Sequence, residues 1–160
     1  MGKSILAGRL AASRALAGRK VLLLDADPRR GALECCATRP KLVARAISAK
    51  GLQPELEHLI NCYHDIVIDS EGRDSMGSRS ALIAARVAIL PFDAARADPA
   101  AQARLIERIG RARLFNPGLR VLVVCEQTAP EERIRAGIFT AQIPAAVLTS
   151  LEQLYGAVFR

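Results

Sequence analysis

Four short apolar runs, alternating with segments of helical character, constrain the fold of this chain more than any other feature. The runs are residues 21–24, 66–68, 87–90 and 121–124. A continuous apolar run of this length suits a strand that is covered on both faces, as in a parallel sheet. The first two runs end on aspartate, at Asp25 and Asp69. Because ligands bind at the carboxyl ends of parallel strands, these two aspartates are candidate site residues.

Helices are predicted between the strands. They cover residues 4–17, 41–49, 54–62, 80–85, 99–113 and 145–156, and residues 157–159 are predicted to begin a last strand. The alternation of strands and helices predicts an α/β fold, with a mostly parallel sheet and flanking helices. Neither a repeat nor a linker interrupts the sequence, so residues 1–160 are predicted to form a single domain.

Composition excludes several other classes of protein. The chain is 51% hydrophobic and 24% charged, which is enough apolar surface for a core and argues against disorder. No apolar stretch reaches the roughly 18 residues of a membrane span, and the N-terminus lacks a secretory pattern. The four cysteines show no C-x-x-C spacing, so we expect neither a zinc site nor a disulfide framework, and a cytoplasmic location.

The net charge of +7 favours polyanions as partners. Aromatic residues are only 4% of the chain, so any DNA binding would be directed at the backbone. The predicted helix over residues 99–113 carries Arg104, Arg108, Arg111 and Arg113. Such a run is usually a solvated face, and contact with DNA phosphates is the second interpretation.

A tripeptide at the start of the first helix carries the most specific chemistry. Gly2, Lys3 and Ser4 match the end of the phosphate-binding motif G-x-x-x-x-G-K-[ST]. In that motif the glycine permits close backbone approach, the lysine reaches the β- and γ-phosphates, and the hydroxyl holds Mg²⁺. The alternative interpretation is a flexible N-terminus in which Ser4 caps the helix, with the two aspartates only starting turns.

With these motifs in this order, the chain resembles the ParA/MinD family of deviant-Walker P-loop ATPases. Residues 22–28 (LLLDADP) are similar to the motif that usually ends D-x-D-P-Q, and residues 64–69 (HDIVID) are similar to the Walker B strand. Residues 81–91, 116–119 and 143–156 also resemble family segments. The resemblance implies a P-loop NTPase architecture that uses ATP and Mg²⁺.

The resemblance also implies roles for individual residues. Lys3 would neutralise the β- and γ-phosphates and Ser4 would ligate Mg²⁺. Asp25 and Asp69 would complete the magnesium site, and Asp27 would orient the attacking water.

Two later positions complete the implied nucleotide contacts, Gln127 after the fourth strand and Pro144. The side chain of Gln127 can both donate and accept hydrogen bonds at a base edge. Family members bind ATP as sandwich dimers, so a homodimer, non-specific DNA and a ParB-like protein are the expected partners.

The chain departs from the family pattern at its start. It begins at Met1, so the first strand, the early glycines of the motif and its first lysine are not in the sequence. We expect the architecture to lack the first strand, either with a gap in the sheet or with neighbouring strands forced together. The sequence is then a fragment of a complete ATPase or a remnant that no longer hydrolyses ATP. Residues 70–72 (SEG) stand where the family often has Thr-Pro-Pro.

Three functional hypotheses follow. The first is a ParA-like ATPase in plasmid or chromosome partitioning, or in positioning a cellular complex. The alternative is a degenerate, non-hydrolysing module that binds protein or DNA. A third keeps the fold but activates a carboxylate with ATP, as dethiobiotin synthetase does, and it ranks below the others. The cluster of His58, Cys62 and His64 matches no zinc signature, so a structural role is favoured over a metal site.

Overall fold

The computed structural model describes residues 2–37, 42–93, 98–125, 142 and 145–159. Its residues form two compact units, Met1–Ala81 and Leu82–Arg160. The first contains α1 (Lys3–Leu16), β1 (Val21–Asp25), α2 (Gly31–Cys36), β2 (Val43–Ala46), α3 (Leu52–Leu59), β3 (Asp65–Asp69) and the start of α4 (Met76–Ala84). The second contains the end of α4, then β4 (Val87–Pro91), α5 (Pro99–Phe115), β5 (Arg120–Val124), β6 (Ala146–Leu148) and α6 (Leu151–Phe159).

The first unit is built on a parallel sheet of order β2-β1-β3. All five residues of the middle strand β1 are buried, as its apolar composition predicts. Two apolar clusters form the core. One contains Leu22, Leu24, Ala26, Ile47, Leu52, Leu56 and Ala81, and the other contains Ala7, Ala11, Val21, Leu23, Ala32 and Cys36. Successive β1 residues alternate between the two clusters, because side chains alternate across a strand.

The second unit is built on a parallel sheet of order β4-β5-β6. Helix α5 begins at Asp98, whose carboxylate accepts the N–H groups of Ala100 and Ala101 at 3.0 and 3.1 Å. It packs Ile109 and Ala112 into a core that also holds Ala88, Leu119, Val121 and Val123. None of the helices in the described residues is long and apolar enough to cross a membrane.

The predicted fold class is confirmed: parallel sheets and flanking helices form an α/β structure. The four predicted strands are present. Within the described residues, β3 pairs with β1 alone and β4 with β5 alone, so each is an edge strand of its own sheet. The single-domain organisation stays a prediction.

Three local predictions were wrong. Residues 43–46, within the helix predicted over 41–49, form strand β2, because Val43–Ala46 pairs in register with Leu22–Asp25. Pairing with a buried strand overrides the weak helical pattern. The predicted helix over 145–156 begins with strand β6, and the predicted last strand at 157–159 is the end of helix α6.

Candidate functional site

The two aspartates identified from the sequence lie side by side at the carboxyl ends of neighbouring strands. Asp25 ends β1 and Asp69 ends β3, and the two are register partners in the parallel ladder. Asp25 is 0% exposed and Asp69 is 3% exposed. The parallel pairing therefore brings together two carboxylates that are 44 positions apart in the sequence.

Asp25 is held by backbone donors. Its Oδ1 accepts the N–H of Asp27 at 3.1 Å. Its Oδ2 accepts the N–H groups of Ala32 and Leu33, in the first turn of α2, at 3.1 and 3.0 Å. A carboxylate in this position satisfies donors that a helix N-terminus leaves without an intrahelical partner. Asp25 therefore fixes the loop between β1 and α2.

Arg30 reinforces that loop. Its Nη1 donates to the carbonyl oxygen of Asp25 at 2.6 Å and to that of Ile47 at 3.3 Å, which links the ends of β1 and β2. Its backbone lies in the left-handed region, with φ 57° and ψ 28°, where non-glycine residues are uncommon. Sequence reasoning missed this residue, because no motif marks an arginine that acts through carbonyl groups.

Asp69 is the less satisfied of the two carboxylates. Its Oδ2 is buried without a hydrogen-bond partner among the described residues. Burial raises the pKa of Asp69, hydrogen bonding from the Ser4 hydroxyl opposes the rise, and the charges of Asp25 and Asp27 add to it. A buried carboxylate oxygen with no donor is costly, so a cation or a proton would be favoured there.

Lys3 and Ser4 reach this edge of the sheet from the first turn of α1. Gly2, with an extended backbone (φ −74°, ψ 149°), is the N-cap of α1, and its carbonyl accepts the N–H of Leu6 at 3.0 Å. Ser4 lies inside the helix, so the alternative in which it caps the helix is wrong. The Lys3 charge partly opposes the rise in the pKa of Asp69.

Two glycines line the positions of Lys3 and Ser4. A Cβ added at Gly72, in the loop after β3, would lie 2.9 Å from Lys3 Nζ. A Cβ added at Gly31, at the start of α2, would lie 3.0 Å from Ser4 Oγ. These two loop positions were not identified as site residues from the sequence, since each contact joins segments far apart in the chain.

The loop between β3 and α4 is internally bonded. Ser75 and Ser78 exchange bonds, with each backbone N–H donating to the hydroxyl of the other at 3.1 and 3.2 Å. Arg79 donates two hydrogen bonds to the carboxylate of Asp74. Hydrogen bonds from Ser75 and Arg73 hold the pKa of Glu71 below its usual range. The Glu71 carboxylate is therefore favoured in its ionised form.

Asp27 is half-buried at the same edge, and its Oδ1 accepts the N–H of Arg29 at 2.9 Å. This contact is an Asx turn of the kind that starts loops. The remaining predicted nucleotide contacts, Gln127 and Pro144, lie outside the described residues.

The residues present fit a magnesium ion that is held partly by phosphates and waters. Magnesium is usually held by one or two carboxylates together with waters and substrate phosphates. Asp69 offers an oxygen without a donor, and Ser4 offers a hydroxyl beside it. Within the ranges that the structure describes, no group of three or more His, Cys, Asp or Glu side chains could hold a metal by itself. The set suits a cation that arrives with phosphates.

Other sequence candidates lie away from this edge or have structural partners. His64 Nδ1 accepts the N–H of Lys20 at 2.9 Å, ahead of both strands, and Cys62 Sγ donates to the carbonyl oxygen of His58 at 3.5 Å. A structural role for that cluster stays a prediction. On α5, Arg111 pairs with Glu107 at 2.6 Å.

The fold is the parallel α/β arrangement found in P-loop NTPases. One similar solved structure is cobyrinic acid a,c-diamide synthase from Mycobacterium smegmatis, with a TM-score of 0.67 and 15% identity over 89% of this chain and 78% of that one. Another is the MinC:MinD cell division protein complex of Aquifex aeolicus, with a TM-score of 0.61 and 18% identity over 97% of this chain and 79% of that one. At these identities the likeness concerns the fold. No protein-family model and no curated protein matches the sequence.

Proposed function

We propose that this chain is a ParA/MinD-like ATPase that binds Mg-ATP and thereby switches its association with DNA or a partner protein. The biological setting would be plasmid or chromosome partitioning, or the positioning of a cellular complex. One observation carries the proposal. Lys3 and Ser4, at the positively polarised start of α1, lie against Gly72 and Gly31, and the Asp69 Oδ2 at this edge is buried without a hydrogen-bond partner among the described residues.

The chemistry proposed for each side chain follows from that placement. Lys3 neutralises charge on the β- and γ-phosphates, and the N–H groups at the start of α1 donate to phosphate oxygens. Ser4 and Asp69 hold the cation, which supplies charge compensation to the phosphates when it is bound. Asp25 shapes the loop that carries Asp27 and adds negative charge beside the cation. Asp27 orients the attacking water.

The net charge and one similar structure support the proposed partners. The net charge of +7 supports contact with the DNA backbone. The similar MinD structure is a complex with MinC, which supports a protein partner for this fold. A homodimer and a ParB-like protein remain proposals, as do base contacts by Gln127 and Pro144.

Thermal unfolding with and without millimolar Mg-ATP tests the proposal. A ligand at roughly 100 times its Kd stabilises the native state by about 2.7 kcal/mol, which raises Tm by roughly 5–10 °C for a chain of this size. We expect this rise in the parent and its loss in Lys3→Ala. Lys20→Ala is the matched control, since Lys20 precedes β1 at the opposite end of the strand. A parent that gains no stability from Mg-ATP would contradict nucleotide binding.

A second candidate function is a degenerate module that binds protein or DNA without hydrolysing ATP. The observation that favours it is that most oxygens of the loop carboxylates already accept backbone hydrogen bonds. Both oxygens of Asp25 and the Oδ1 of Asp27 accept backbone N–H groups, which gives them structural work without any catalysis. Phosphate release from Mg-ATP separates the two candidates. Turnover that disappears in both Lys3→Ala and Asp27→Asn supports the ATPase, and binding without turnover supports the module.

A further inference from the structure

Gly72 has a tight neighbour that its backbone conformation does not explain. Among the described glycines only Gly18 has a positive φ, so Gly72 is not required for a left-handed turn. A Cβ at this position would lie 2.9 Å from Lys3 Nζ and 3.3 Å from Lys3 Cε. No other heavy atom of the described chain, apart from the adjacent residues in sequence, lies within 4 Å of it. Among the described residues, the Lys3 side chain alone therefore occupies the space that a side chain at position 72 would need.

The loop that carries Gly72 is well placed to resist displacement. The Ser78 hydroxyl donates toward the carbonyl oxygens of Arg73 and Ser75, both at 3.1 Å, and it accepts the N–H of Ser75. Ser78 is only 4% exposed. The Lys3 ammonium group, in contrast, is carried on a flexible stem of four methylenes. A side chain at position 72 would therefore move the ammonium group and leave the loop in place.

We propose that Gly72 is a positioning residue for Lys3, and that its missing side chain sets where the ammonium group meets phosphate oxygens. This inference rests on the proposed function for its consequence, although the packing relation itself does not. Gly31 has the same relation to Ser4, since a Cβ there would lie 3.0 Å from Ser4 Oγ and 3.3 Å from Ser4 Cβ. A serine on a helix has no flexible stem, so substitution at Gly31 disturbs the fold more than substitution at Gly72.

The test combines ATP binding with a double-mutant cycle on the full chain. The variants are Gly72→Ala, Lys3→Ala and the double variant, with Gly110→Ala as the matched control. Gly110 is a helical glycine on α5 with nothing within 4 Å of an added Cβ. We expect Gly72→Ala to weaken Mg-ATP binding about tenfold, because displacement of a catalytic group by about 1 Å can cost up to about a hundredfold. The double variant should bind no more weakly than Lys3→Ala.

The cycle on Tm without nucleotide tests the packing separately. Gly72→Ala should be better tolerated in the Lys3→Ala background than in the parent, because the lysine no longer occupies the space. Gly110→Ala should have the same effect in both backgrounds. Equal effects of Gly72→Ala on Tm in the two backgrounds would contradict the packing of Lys3 against Gly72.

Binding by Gly72→Ala as tight as that of the parent would overturn the positioning role even if the cycle shows coupling. A parent that does not bind Mg-ATP contradicts the proposed function and the positioning role together. The Tm cycle then decides the packing relation alone. The two failures are therefore distinguishable.

Discussion

Replacement of Asp69 by asparagine removes a buried negative charge while nearly preserving the shape of the side chain. Asp69 is 3% exposed and its Oδ2 has no hydrogen-bond partner among the described residues. A buried polar group without a partner costs about 1–3 kcal/mol, and more when it is charged. The amide retains an oxygen toward Ser4 but brings donors of its own, so only part of this cost is recovered. We expect Asp69→Asn to gain about 1–2 kcal/mol at pH 8, which raises Tm by about 2–8 °C.

The gain should depend on pH with a defined sign. Burial raises the pKa of Asp69, so the native state binds this proton more tightly than the unfolded state does. The contribution of Asp69 to stability is fully present below the unfolded pKa and is lost as pH rises through the raised native pKa. The advantage of Asp69→Asn should therefore be largest near pH 8 and shrink toward pH 4.

Far-UV circular dichroism melts of parent and variant at several pH values measure this difference. Asp65→Asn is the matched control on the same strand, because Asp65 Oδ2 is paired with Arg14 Nε at 2.8 Å. That variant should lose stability at pH 8 where Asp69→Asn gains it. A lower Tm for Asp69→Asn at pH 8, or a difference that does not change between pH 4 and 8, would refute the assignment of Asp69 as an unsatisfied buried charge.

Three further variants test contacts inside the first unit or inside the second. Leu23→Ala, in the middle of β1 at 0% exposure, should cost about 2–5 kcal/mol in urea denaturation, and a loss below 1 kcal/mol would contradict its place in the core. Asn116 Nδ2 donates to the carbonyl oxygens of Leu82 and Ala85, so Asn116→Ala should cost about 1–3 kcal/mol by the same measurement. Arg30→Gly should be about 1 kcal/mol more stable than Arg30→Ala, because both lose the guanidinium bonds but only glycine relieves the positive φ; equal Tm values would argue against strain there.

The part of the fold that sequence predicts best is the pair of strands that ends on aspartate. The runs before Asp25 and Asp69 are apolar at successive positions, which is typical of strands in a parallel sheet, and the structure has β1 fully buried and most of β3 half-buried. Parallel pairing then requires their carboxyl ends to meet. The sequence therefore predicts that both carboxylates lie at one edge of the sheet, whereas their side-by-side placement also depends on the direct pairing of β1 with β3.

The parts that could not be predicted depend on contacts between distant segments. Strand β2 exists because it pairs with β1, whereas its own four residues are mostly exposed and carry little pattern. The contact of Lys3 with Gly72 joins positions 69 residues apart and depends on the lack of a side chain in glycine. The left-handed backbone of Arg30 occurs together with hydrogen bonds from its side chain to the carbonyl oxygens of Asp25 and Ile47, which residue type alone does not predict.

The register that places Asp25 opposite Asp69 creates a conflict between the stability of the protein and the binding of a cation at one edge of the sheet. Both carboxylates are buried, and the charge of Asp25 contributes to the raised pKa of Asp69. Loss of the Asp69 charge relieves repulsion in the empty chain and weakens the hold on a cation at the same time, whereas loss of the Asp25 carboxylate would also remove the hydrogen bonds from Asp27, Ala32 and Leu33. Selection of variants for thermal stability alone should therefore erode this edge first, whereas selection in the presence of a bound cation should retain it.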